Sequence, residues 1–282
     1  MTMKTIKEIK GRAAELLKSC WAESVLMGLL DMGMICLTYS LLLLTARITG
    51  VHTAENMLLI PERISPSFAA AAAIILGIYY VLTAPLYFGT RWFFWQTSGG
   101  KDIMPVSSLF AGYATWESIK RCLRLKLSMD IHKLPPLFIS AGLVLLEIVL
   151  ARVIWQSSSQ TAVLKVLLVI GCIIMTAAAL TLYSMLTMQY IPVGYIMADD
   201  PYAAPKDIIK HSLGASKKKY FYMMKMYADN IRLFPLSFFI FPILVLRPYF
   251  LMMTAVFIRE CMAADDMNDK KKEENSIPAL SG

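Results

Sequence analysis

Several long apolar blocks, each long enough to cross a hydrocarbon core of about 30 Å, constrain this chain more than any other feature. Hydrophobic residues make up 57% of the 282 positions and charged residues only 17%, below the quarter usual for soluble domains. The apolar excess is gathered into those blocks. The fold expected is all-α: a polytopic transmembrane helical bundle.

Residues 5–20 read as an amphipathic helix. Ile6, Ile9, Ala13, Leu16 and Cys20 recur at helical spacing, and Lys4, Lys7, Lys10, Arg12 and Lys18 supply a wet face. Such a helix is expected along the membrane surface. Span one follows over about 21–46 and span two over about 68–95. Span two ends in Trp92-Phe93-Phe94-Trp95, expected as an interfacial aromatic belt. A basic connector over 98–133 carries a second amphipathic stripe, from Val106 and Phe110 to Leu127. Span three covers about 134–155, and span four runs from about 162 to 197 with Pro192 inside it. A second basic connector restarts at Pro205, a favourable first helical residue. Residues 221–262 are interrupted by Pro235, Pro242 and Pro248. They read as spans five (221–240) and six (243–262), with one tilted span plus a re-entrant piece as the alternative. Residues 265–282 read as a charged, disordered cytoplasmic tail.

The net charge of +8 is explained by the loops. Five basic residues precede span one, and the connectors 98–133 and 198–225 carry six each. The two opposite loops carry only Arg47, Arg63, Arg152 and Lys165. Seventeen against four places the N-terminus in the cytoplasm. With no basic stripe on a recognition fold, a nucleic-acid partner is not expected. The N-terminal block is too long for a cleaved signal peptide.

One pattern recurs: a basic amphipathic helix, a span leading out, and a returning span with a late proline. The rounds cover about 1–100, with Pro85; 101–200, with Pro192; and a shortened 201–264, with Pro248. This describes one integral membrane domain, 1–264, of about six spans in three hairpin repeats with amphipathic cytoplasmic helices. Parallel repeats build transporters with a site at the repeat interface, and they also serve as scaffolds.

Leu17-Lys18-Ser19-Cys20-Trp21, Pro85-Leu86-Tyr87-Phe88-Gly89, Pro248-Tyr249 and Thr254-Ala255-Val256-Phe257 carry a resemblance over nearly the whole chain. The chain resembles the domain-of-unknown-function 975 family of bacterial integral membrane proteins. It departs from that pattern at Tyr227-Ala228-Asp229-Asn230-Ile231-Arg232, where the family has serine-phenylalanine and tryptophan. The resemblance implies a multi-pass protein of the bacterial cytoplasmic membrane and transfers no activity, cofactor or site.

Ionisable groups inside spans cost at least a few kcal/mol near mid-bilayer, so each is a functional candidate. Asp31 in span one and Glu147 in span three can line a polar cavity, bind a cation or relay a proton. The bland reading pairs each with a basic or hydroxyl side chain that fixes packing. Lys225, Asp229 and Arg232 share one helix face, as an ion or substrate path if span five starts near Phe221 and otherwise as a solvated face. Arg91, near a span end, is read as snorkelling to the interface. Ser24-x-x-x-Gly28 and Ala73-x-x-x-Gly77 read as close helix contacts, within the chain or in a dimer. The five scattered cysteines read as packing residues, and the three histidines lie far apart in loops. No metal, cofactor, nucleotide or nucleophile signature is present. The function expected is therefore non-enzymatic: a transport-related or accessory, scaffold-like membrane subunit. A membrane-embedded enzyme acting on a lipid or peptide is the alternative. The expected partners are the lipid bilayer and either another membrane protein or a second copy.

Overall fold

A capping box starts the first helix: the Glu8 amide donates to Thr5 Oγ1 at 3.4 Å, and the Thr5 amide to Glu8 Oε2 at 2.8 Å. The computed structural model describes residues 5–49, 65–100, 105–156, 162–230 and 240–276. Among these the elements are α1 (Ile6–Ser19), α2 (Trp21–Ile48), α3 (Pro66–Ser98), a 3-10 helix (Val106–Tyr113), α4 (Trp116–Gln156), α5 (Ala162–Met188), α6 (Val193–Asp199), α7 (Pro205–Ala228) and α8 (Ile240–Ser276). The described protein is all-helical, as the apolar blocks required.

Among the described residues four stretches are long and apolar enough to cross a membrane: Trp21–Ile48, Pro66–Ser98, Trp116–Arg152 and Val166–Asp199. These helices carry a belt of large exposed hydrophobics. It runs along α2, over residues 74–82 of α3, over 127–150 of α4 and over 166–186 of α5. The expected spans five and six are not among the four. Of span five, residues 231–239 lie outside the described residues, and its start belongs to lysine-bearing α7.

The amphipathic helix α1 does not lay its stripe on lipid. Ile9, Ala13 and Leu17 are buried in a protein core with Met252, Met253, Val256 and Phe257 of α8. The aromatic run at the end of α3 is likewise no interfacial belt. Phe93, Phe94 and Trp95 are buried in the same core because α1, α6, α8 and the 3-10 helix enclose that end of α3. Below the lipid belt the chain thus forms a compact helical layer, here called the α1 end.

Prolines shape the long helices. In the turn disrupted by Pro85 the Tyr113 hydroxyl donates to the Leu82 carbonyl. Gly89 and Gly112 let the 3-10 helix lie against α3. A side chain on Gly89 would overlap the Leu109 carbonyl, and one on Gly112 would come within 2.9 Å of Pro85. The expected connector helix and span three are one continuous 41-residue helix, α4, crossing Pro135 and Pro136. Pro136 cannot donate to the His132 carbonyl, and the Tyr190 hydroxyl reaches that carbonyl at 3.5 Å. The expected span four instead breaks at Pro192 into α5 and α6. The last helix continues to Ser276, through most of the charged segment read as a tail.

Of the two small-residue pairs, one makes the expected contact. Ser24 is fully buried, and a Cβ on Gly28 would meet Leu244 of α8 at 3.2 Å. Gly77 has nothing within 4 Å and faces the belt.

Candidate functional site

The contact at Gly28 brings α8 alongside α2 and sets Arg247 opposite Asp31. Arg247 Nη2 pairs with Asp31 Oδ2. This pair forms one wall of a cavity of about 180 Å³ between α2, α3, α4 and α8. Tyr79, Tyr80 and Thr83 of α3 and Lys126 of α4 line it further, and Arg91 closes it toward the α1 end.

Each cation is held differently. The Arg91 guanidinium lies 3.3 Å from the Tyr87 ring centroid, and its Nη1 donates to the Tyr87 carbonyl at 2.9 Å. Its Nε is buried and has no hydrogen-bond partner among the described residues. Gly194 of α6 makes room for this side chain, since any Cβ there would overlap Arg91 Cδ. Lys126 sits 3.4 Å from Asp130 and about equally far from the Tyr80 and Tyr87 rings, at 5.1 and 5.0 Å. Asp130 also accepts from Tyr80 at 3.0 Å and lies 3.9 Å from Lys133. The cluster therefore holds four cations, Arg91, Lys126, Lys133 and Arg247, against two carboxylates, Asp31 and Asp130. Asp130 is shared by two lysines and a tyrosine and Asp31 is taken by Arg247, so Arg91 has no carboxylate of its own.

Asp31 was legible from the sequence; its cationic neighbours were not. Arg91 does not snorkel, because the packing of α6 on α3 holds it inside. Arg247 lay within an apolar run and met the rule that singled out Asp31, but the prolines around it obscured that run. In the sequence Lys126 is one of the six basic residues of the 98–133 connector, and the continuity of α4 brings it to the cavity.

The other candidates lie elsewhere. Glu147 sits between α4 and α5, where the Thr176 hydroxyl faces both its oxygens at 3.2 and 3.1 Å. It shares no partner with Asp31. Asp229 pairs with Lys10 of α1 at 3.7 Å, Lys225 is exposed, and Arg232 lies outside the described residues. At the α1 end a second polar group locks helices together. Arg12 meets Glu260 at 3.0 Å, Arg259 donates to the Trp95 carbonyl at 2.7 Å and to Ser98 Oγ at 3.2 Å, and Trp95 Nε1 donates to Asp199 at 3.3 Å. Burial pushes the Cys20 thiol up, as befits a packing residue. Among the described residues no three His, Cys, Asp or Glu side chains gather as a metal-binding group. No family model, no curated protein and no solved structure matches this chain.

Proposed function

We propose that the protein is a non-enzymatic, transport-related or accessory subunit of a bacterial cytoplasmic membrane, with its N-terminus inside. The observation that carries this reading is the 180 Å³ polar cavity, walled by Asp31, Arg247 and Lys126, beside four apolar helices. Charged walls in such a place are costly unless they receive a hydrophilic group. The enzyme alternative draws less support, because Asp31 and Glu147 have separate partners and do not form a carboxylate pair. The loop charges and the resemblance to the domain-of-unknown-function 975 family support the membrane and the orientation.

Thr83→Cys tests the cavity. In inside-out vesicles a membrane-impermeant thiosulfonate should label this cysteine well above the wild-type background, and pre-treatment from the outer face should not block it. A Thr83 position that no aqueous reagent reaches from either side would sink the transport reading. The finer topology, six spans in three hairpins, is supported by the recurring prolines and basic connectors. It predicts that an epitope inserted at Pro242, where spans five and six would turn, is external; an internal epitope leaves four spans.

A further inference from the structure

We infer that the cavity between α2, α3, α4 and α8 binds a phosphate group, carried either by an anionic phospholipid or by a free solute. The inference rests on the cavity being a ligand site, as proposed above, and adds the chemistry of the ligand.

Charge is the first argument. The cluster carries two more cations than carboxylates. Uncompensated charge beside hydrocarbon is expensive; a phosphodiester headgroup offsets one of the two excess charges, and a phosphate monoester or free phosphate dianion offsets both. A cation ligand or a proton relay would make the excess worse, so the reading of Asp31 as a cation site loses its basis.

The second argument is the unused donor. Arg91 has a buried Nε–H, packed beside Gly194, with no acceptor among the described residues, while its Nη1 donates to the Tyr87 carbonyl. A turn of its guanidinium toward the cavity would bring that Nε–H donor to a ligand. A buried donor left unpaired costs about 1–3 kcal/mol, which an incoming oxygen relieves. Guanidinium suits phosphate because its N–H groups match two oxygens at once. Lys126 and Arg247 face the same space and supply further charge.

Position is the third. The exposed apolar belt of α3 ends at Leu82, next to cavity-lining Thr83, and that of α4 begins at Leu127, next to Lys126. On α3 and α4 the cavity therefore sits where exposed apolar side chains give way to polar ones, as at the depth of a leaflet's phosphates. On α2 the exposed apolar side chains continue past Asp31 to Trp21. Basic pockets between helices at that depth suit anionic headgroups. The tyrosine and Ile35 walls can accept the glycerol and upper chain of a lipid.

The test uses the full chain purified in neutral detergent. Phosphatidylglycerol, phosphatidylcholine and inorganic phosphate are added separately. Thermal midpoint and lipid retention by native mass spectrometry are read for wild type, Arg91→Gln, Lys126→Gln and the exposed-site control Lys225→Gln. Phosphatidylglycerol is expected to raise the midpoint and be retained one per chain. Phosphatidylcholine should do neither. Arg91→Gln should weaken the effect roughly tenfold or more, the loss expected of a charge-assisted hydrogen bond. Stabilisation by inorganic phosphate without lipid retention assigns the site to a free solute and equally supports the inference. No shift with either phosphate source, or shifts that survive in both Arg91→Gln and Lys126→Gln, overturns it. If Arg91→Gln does not fold, Lys126→Gln decides alone. A Thr83→Cys protein that is labelled but shows no phosphate effect keeps the transport reading and discards this one. The reverse pattern leaves a fixed structural lipid and discards transport.

Discussion

Gly89→Val should yield little or no folded protein, while Gly77→Ala in the same helix should leave the thermal midpoint unchanged or slightly raised. Both glycines lie in α3, so helix propensity acts on them alike. Their surroundings differ. Any β-carbon at residue 89 runs into the backbone carbonyl of Leu109, which cannot turn aside as a side chain can. The whole 3-10 helix would have to retreat, exposing fully buried Leu109 and breaking the contact of Gly112 with Pro85. Overpacking usually costs about 1–3 kcal/mol, and displacement of a packed backbone lies at or above the top of that range. Residue 77 has open space around it. Fluorescence-detected size exclusion and a thermal scan on the two variants read the contrast directly. Equal behaviour of the two would mean that the 3-10 helix does not seat on α3.

The second large effect concerns Asp31 and Arg247. Either single replacement, Asp31→Asn or Arg247→Gln, should destabilise the protein more than the double replacement does. Removing Arg247 strands a carboxylate with an 18% exposed side chain, and removing Asp31 strands a guanidinium and raises the cation excess to three. Breaking one side of a buried pair costs about 3–5 kcal/mol, and the partial exposure of Arg247 argues for the lower end. The double variant keeps amides of similar shape and restores the original excess. A double-mutant cycle should therefore give a coupling of about 3 kcal/mol or more. Strict additivity would show that the two groups do not act as a pair.

The apolar blocks made the membrane helices legible, because long runs of leucine, isoleucine and alanine have few other fates. Residues 21–46, 68–95 and 134–155 all fall within helices of the expected kind. What the sequence hid was which apolar faces meet protein and which meet lipid. Ile9, Ala13 and Leu17 have the spacing of a surface helix, and Trp92 to Trp95 the composition of a belt. Both signatures are equally satisfied by a core, and packing of α8 decides it. Of the candidate site, only Asp31 was readable in place. Arg91 looked like an ordinary span-end arginine. Its burial depends on Gly194, more than a hundred residues away, and no local pattern announces that. Glu147 lies in the apolar stretch of α4 and accepts from the Thr176 hydroxyl of α5.

The unbroken course of α4 has a mechanical side. At 1.5 Å per residue its 41 residues span about 60 Å, twice the thickness of a hydrocarbon core. One stretch of this rod, with α5 against it, meets the lipid chains; another carries Lys126 and Asp130 at the cavity wall. Long helices answer a thinner bilayer by tilting. Pro135 and Pro136 fall between those two stretches, where the helix lacks backbone donors and bends most readily, so a tilt of the apolar stretch is taken up there before it reaches the cavity wall.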